Sequence, residues 1–204
     1  MRGAKVDSKA QASVREESWM VRGGAQVTLR AVQEGDGAGL RTFIDALSRE
    51  SRYFRFLTGG RIADETIHGF VSHHPGRDVG LVVTAQHPAA VEPTIIASAE
   101  YVVGDDGIAE FAVVVADDWQ GQGLGRRLIQ RLQQLARAAN LRGMRGDVLA
   151  ENRRMLAIMR DCGFSTRRNP EDNLLHEVAL TLADVSKPVA ANAARLPRDW
   201  FSAA

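Results

Sequence analysis

Apolar and polar residues begin to alternate at 26-QVTLRAV-32, which predicts a strand. The first 25 residues are polar, mixed in charge and aperiodic, and predict a tail without regular structure over 1–25. After the turn chemistry of 35-GDGAGL-40, Leu40, Phe43, Ile44 and Leu47 recur at helical spacing and predict a helix over 40–51. The stretch that follows, 52-RYFRFL-57, is aromatic and basic. A second short helix is predicted over 63–72 with Asp64 as its cap, and 79-VGLVVTA-85 reads as a strand.

The runs 94-TIIASAEYVV-103 and 108-IAEFAVVVA-116, joined by 104-GDDG-107, predict an antiparallel hairpin. Leu124, Leu128, Leu132, Leu135, Ala136 and Ala139 form one stripe of a helix over 124–139. A short strand at 145–150 precedes a helix over 152–162, which Gly163 ends. A last strand pair spans roughly 164–182, broken by 169-NPEDN-173. The segment 185–204, with its prolines and many alanines, reads as a second tail, so the ordered domain is expected over 26–184. No repeat is present. The order of elements predicts an α+β fold with a mixed, mainly antiparallel sheet, neither a sandwich nor a doubly wound parallel fold.

Composition narrows the function classes. The 204 residues suit one domain with tails, and 45% apolar with 25% charged residues is ordinary for a globular protein. A formal net charge of +1 gives no bulk attraction for a polyanion, and acidic residues balance the arginine pairs at 126–127, 153–154 and 167–168. Nucleic acid is therefore not an expected partner. Cys162 is the single cysteine, which excludes an internal disulfide and fits a reducing compartment. His73 and His74 are adjacent but lack acidic or cysteine partners at ligand spacing, so no metal is expected. The longest apolar run, 108–116, contains a glutamate and falls far short of the ~20 residues of a spanning helix. The amino terminus lacks the apolar segment of a signal peptide. The expectation is a soluble, cytoplasmic protein without a membrane partner.

The chemistry concentrates at 117-DDWQGQGLGRR-127, where a strand hands over to a helix through three glycines. A helix start presents unpaired N–H groups and partial positive charge, and glycine lets a ligand approach the main chain. With Arg126 and Arg127 added, these residues make an anion site suited to a phosphate or pyrophosphate. The alternative is a glycine-rich connector with two solvated arginines. The run Gly-x-Gly-x-Gly lacks the third glycine of a dinucleotide fingerprint, and no Gly-Lys-Ser/Thr follows to make a nucleotide loop.

Gln120, Gly123 and Gly125 match Gln/Arg-x-x-Gly-x-Gly/Ala, the hallmark of the GNAT superfamily of acetyl-CoA-dependent N-acetyltransferases. The apolar strand before it, the amphipathic helix after it, and 152-NRRMLAIMRDCGF-164 strengthen the resemblance, which covers roughly residues 26–182. Within the superfamily, 29-LRAVQEGD-36, 49-RESRYFRFL-57 and 109-AEFAVVVADDWQGQGLGRRL-128 are most similar to the acetyltransferase domain of bacterial protein-lysine acetyltransferases.

The resemblance implies a GNAT-type twisted sheet with flanking helices and a cofactor cleft between its fourth and fifth strands. Acetyl-CoA would be the co-substrate. Backbone groups of Val113, Val114 and Val115 would pair with its pantetheine amides. The loop of Gln120, Gly121, Gln122, Gly123, Leu124 and Gly125, with Arg126, would hold the pyrophosphate. Asn152 would touch the cofactor arm from the opposite wall, or else simply cap its helix. The acceptor would be a primary amine, a protein lysine first and a small-molecule amine second, attacking directly in a ternary complex. The alternative is a non-catalytic acyl-CoA-binding module. An exposed last strand leaves room for a homodimer.

Attack on a thioester needs a neutral amine, whereas a lysine-type ammonium has a pKa of about 10.4 in water. Glu110 is the candidate base: an ionisable residue in an otherwise apolar hairpin, where burial would raise its pKa. The resemblance also places a catalytic glutamate in this segment; the other reading is a solvent-facing edge residue. The tyrosine common in the second-signature helix is here Met159, so no general acid stands out. Cys162 reads as core packing. Arg52, Tyr53, Arg55 and Phe56 either frame an acceptor or pack half-buried.

Overall fold

The computed structural model describes residues 14–72, 77–86 and 92–182. Strands β1 (Glu17–Met20) and β2 (Gln26–Ala31) lead through a 3-10 turn at Glu34–Asp36 to helices α1 (Gly37–Ala46), α2 (Arg49–Phe56) and α3 (Asp64–Val71). Strands β3 (Asp78–Ala85), β4 (Thr94–Val103) and β5 (Ile108–Val115) follow, then a 3-10 turn at Asp117–Trp119 and helix α4 (Leu124–Ala138). Strand β6 (Gly143–Leu149), helix α5 (Arg153–Asp161) and strands β7 (Ser165–Arg168) and β8 (Leu175–Thr181) complete the described chain. The sheet runs β1-β2-β3-β4-β5-β6-β8-β7, and every neighbouring pair is antiparallel except β5–β6. This is the expected α+β architecture.

Helices cover both faces, so β3 is buried along its whole length. One face packs Val79, Leu81, Tyr101 and Phe111 against Leu124, Leu128 and Leu132 of α4 and Met159 of α5. The other packs Val82 and Val114 against Leu40, Phe43 and Ile44 of α1 and Ile67 and Phe70 of α3. The apolar stripes read from the sequence are the surfaces that close these two layers. No helix among the described residues is long and apolar enough to cross a membrane.

Three expectations need correction. Order begins before residue 26: β1 lies inside the stretch read as a tail, pairing Trp19 with Val27. Four residues, two polar and two apolar, carry too little pattern to read as a strand. They are held by tertiary contacts, with Arg127 stacked 3.9 Å over the Trp19 ring and 3.3 Å from Glu17. Second, the single helix expected over 40–51 is two. Leu47 leaves the helix with ψ 145, and the Ser48 side chain accepts from the Ser51 N–H to start α2, which runs on to Phe56. Third, Asp64 is the first helical residue rather than the cap; Ala63 occupies the cap position and Asp64 binds Arg41 instead. The extra strand shifts the count, so the fourth and fifth strands from residue 26 are β5 and β6. His73, His74 and residues 1–13 and 183–204, which include the expected second tail, lie outside the described residues.

Candidate functional site

Strands β5 and β6 pair only at Ile108–Gly143, Ala109–Met144 and Glu110–Arg145, then part. A Cβ on Gly146 would lie 3.2 Å from the Phe111 carbonyl oxygen, so a glycine stands at the apex where the two backbones still touch. Along the split runs a cleft of about 2,610 Å³, lined by β5, β6, the starts of α4 and α5, and parts of α2, β4 and β8.

The hydrogen bonds of β5 decide which backbone groups face that cleft. Gly104 N–H donates to the Ile108 carbonyl at 2.9 Å and Ala116 N–H to the Ile96 carbonyl at 2.8 Å, with an unbroken register between. The even-numbered residues of β5 are therefore bonded to β4, and Phe111, Val113 and Val115 turn their N–H and C=O outward along the split. Of the three valines expected to offer backbone, Val113 turns both groups outward and Val115 its N–H, the Val115 carbonyl being taken by Gln120; Val114 spends its backbone on β4 and its side chain on the α1–α3 core.

The cleft runs into the glycine loop. Gly121 and Gly123 have φ of 80 and 88, and a Cβ on Gly123 would meet nothing within 4 Å, so open space borders its main chain. Leu124 is buried and offers only its backbone, while Gln122 Nε2 reaches the Asp118 carbonyl at 3.4 Å. Gln120 knots the loop together. Its Nε2 donates to Ser51 Oγ at 3.1 Å and the Val115 carbonyl at 3.2 Å, and its Oε1 accepts from Arg154 Nη1 at 2.8 Å. Asp117 holds the neighbouring α2 start, accepting from Ser48 N–H at 2.9 Å and from the Ser48 and Ser51 hydroxyls at 2.7 Å. Burial pushes the Asp117 carboxyl up, but these hydrogen bonds prevail and hold it below its ordinary value.

The charges around the loop differ from expectation. Arg126 is paired with Asp161 of α5, and Arg127 is committed to β1. Arg154, which pattern alone placed on a solvated face, is the cation beside the loop, 3.9 Å from a Cβ built on Gly121. Asn152 caps α5, its Oδ1 accepting from Met155 N–H at 3.0 Å, and also lines the cleft. Met159 is fully buried in the core. Burial pushes the Cys162 thiol up, away from a reactive thiolate.

Glu110 is not the buried carboxylate expected from its apolar neighbours. Its side chain is 40% exposed and accepts from Arg145 at 2.5 Å, while Arg145 also donates to Asp106 at 2.8 Å. The carboxylate is thus fixed by an ion pair at the mouth of the β5–β6 split. The buried one is Glu100 of β4, which accepts from Arg55 of α2 at 2.5 Å with both side chains under a tenth exposed. Burial pushes Glu100 up to about 7 against the pull of Arg55, with nearby Asp78 adding to the rise, and burial lowers Arg55. The aromatic-basic stretch divides its labour. Arg52 caps the α1 end by donating to the Leu47 carbonyl at 2.8 Å, and Phe56 packs on Phe70 with ring centres 6.2 Å apart. Phe54 and Arg55 line the cleft. Among the described residues no group of three or more His, Cys, Asp or Glu side chains gathers to hold a metal ion.

Comparison with known proteins agrees with this geometry. The model of the acetyltransferase (GNAT) family matches residues 44–164. The acetyltransferase PA5475 of Pseudomonas aeruginosa is 30% identical over 177 residues, 85% of this chain and 95% of its own. The GNAT domain of S. lividans PAT superposes with a TM-score of 0.72 at 24% identity, over 82% of this chain and 97% of that domain. The putative acetyltransferase yncA from Salmonella typhimurium, solved with its cofactor acetyl-CoA, gives a TM-score of 0.63 at 19% identity, over 81% of this chain and 99% of that one. The split strands, the glycine loop and the matched sequence lead to one conclusion: the chain belongs to the GNAT acetyltransferase family and is an acyltransferase.

Proposed function

We propose that the protein transfers an acetyl group from acetyl-CoA to a primary amine, with a protein lysine side chain as the foremost acceptor. The observation that carries this reading is the parting of β5 from β6 beside Gly146, which leaves an unpaired strand edge leading into a glycine loop with open space at Gly123. An extended amide chain such as pantetheine matches the edge offered by Val113 and Val115 in the manner of an added strand. The loop N–H groups from Gly121 to Gly125 and the α4 start suit a pyrophosphate, with Arg154 and Arg126 as flanking cations. Asn152 lines the wall opposite β5.

The acceptor enters from the side of α2 and Glu110. Its nitrogen bonds to the thioester carbonyl carbon, the carbon–sulfur bond breaks, and the sulfur leaves with the electron pair. Glu110 takes a proton from the nitrogen, and Arg145 keeps that carboxylate aimed at the split. Met159 supplies no proton to the sulfur, which takes one from solvent. An ion-paired glutamate at the cleft mouth favours a working enzyme over a module that only binds acyl-CoA.

Free-thiol release from acetyl-CoA is the decisive experiment, run with lysine peptides and with small amines. Thiol release with peptides above all supports the reading. Tight CoA binding without release from any acceptor would make the chain a binding module, and release with small amines alone would move the acceptor class.

A further inference from the structure

Glu100 lies in the middle of β4 between Gly80 of β3 and Ala112 of β5. Its lateral neighbours in the sheet are therefore a bare backbone and a methyl group, and Ala112 and Glu100 both line the cleft. Register places Glu100 and Glu110 on the same face as diagonal neighbours, because Glu110 stands opposite Val102. Such diagonal positions lie about 7–8 Å apart, within reach of one substrate ammonium between two long side chains. Both glutamates line the same cleft.

The surroundings of the two differ. Glu110 is half in solvent and bound by Arg145. Glu100 is enclosed: Arg55 of α2 covers it, and Arg55 itself stacks on Phe56 and on Phe70 of α3, 4.8 and 5.4 Å from their ring centres. Asp78 at the start of β3 acts on it directly, and Arg77 just before β3, Asp105 in the β4–β5 turn, Glu110 on β5 and Arg145 on β6 line the same cleft; His68 of α3 is exposed. A buried ion pair is weak ground for stability, since an apolar pair of similar volume does as well or better. Its position in a substrate cleft points to chemistry. Two carboxylates in environments this different are suited to different proton transfers.

We propose that Glu100 is a second proton acceptor of the reaction, taking the first proton from the incoming ammonium while Glu110 takes the second as the amide forms. The step rests on the acetyl-transfer reading above. An ammonium N–H bond breaks, its proton goes to a Glu100 oxygen, and the electron pair stays on nitrogen. That pair forms the bond to the thioester carbon, the carbon–sulfur pair leaves with sulfur, a second N–H proton passes to Glu110, and the third stays on the amide nitrogen. One proton ends on sulfur and one in solvent.

The test is the pH profile of kcat/KM for thiol release with the best acceptor of the panel. The wild-type profile has a rising limb governed by a group near pH 7, the value to which burial raises Glu100. Glu100→Gln, folded and binding CoA normally, loses that limb and falls by at least ~10²-fold at neutral pH. Glu110→Gln falls as well but keeps the limb. Should Glu100→Gln fail to fold, Arg55→Met with Glu100→Leu removes the pair without stranding a charge, and the same loss is expected. A folded variant of either kind that retains the limb overturns the proposal. Thiol release absent with every acceptor at every pH would instead sink the acetyl-transfer reading, and this role with it.

Discussion

Glu110 and Arg145 stand opposite each other at the last paired position of β5 and β6, and Arg145 Nη2 lies 2.5 Å from a Glu110 carboxylate oxygen. The ion pair sits where the strands begin to part, so it fixes a carboxylate at the mouth of the split. Replacing Glu110 with glutamine keeps shape and hydrogen bonding but removes the proposed base. Turnover should fall by about 10²–10⁴-fold with CoA affinity nearly unchanged. Arg145→Met, which frees the carboxylate without deleting it, should lower kcat by less. Steady-state kinetics beside calorimetric CoA titration separate the two, and an unaffected rate in Glu110→Gln would remove this residue from its role.

Gly123 and Gly24 provide a matched pair. Both have positive φ, 88 and 78, and a Cβ on either would meet nothing within 4 Å. A side chain costs about 1–2 kcal/mol of backbone strain at each. Only the one on Gly123 projects into the space beside the glycine loop. Gly123→Leu should abolish measurable CoA binding while Gly24→Leu loses stability alone. Equal CoA affinity in the two variants would displace the loop from its assigned task.

Arg154 bonds to Gln120 Oε1 at 2.8 Å beside the loop and should be felt by the pyrophosphate. Charged hydrogen bonds contribute about 1.5–3 kcal/mol, so Arg154→Met should weaken acetyl-CoA by roughly 10- to 100-fold. Acetyl-pantetheine lacks the pyrophosphate, and its kcat/KM should not change. An equal loss with both donors would mean that Arg154 acts on the fold or the pantetheine arm instead.

The fold was legible wherever one apolar face repeats: the 94–116 hairpin, the 124–139 stripe and the helix ended by Gly163 all stand where periodicity put them. Strand β1 was not, because Trp19 alone signals a buried contact and its partner Arg127 is 108 positions away in sequence. The split helix turns on Asp117 reaching back to Ser48, a contact with no local signature. In the candidate site, the glycine turn and the free backbone edge of β5 were readable from the motif. Residues whose meaning depends on a distant partner were not. Glu110 was expected to be buried because its neighbours are apolar, yet Arg145 from the next strand holds it at the surface. Glu100, in an equally apolar strand, is the buried one, because α2 lays Arg55 over it.

Asp117 ties the start of α2 to the end of β5, and its hydrogen bonds give the fold a pH dependence of predictable sign. Its folded carboxyl is held below the ordinary value of about 3.9 because Ser48 and Ser51 donate to the charged form. The stabilisation is therefore fully present above that ordinary value and disappears as pH falls through the lowered one. Asp117→Ala should lose about 1 kcal/mol at neutral pH, a modest figure because the residue is exposed. The difference in Tm between wild type and variant should shrink as pH drops below the carboxylate range. Because Gln120 also leans on Ser51, the variant should loosen the loop and raise the KM for acetyl-CoA more than it lowers kcat. A Tm difference that stays constant into acid would show that the carboxylate charge plays no part in the tie.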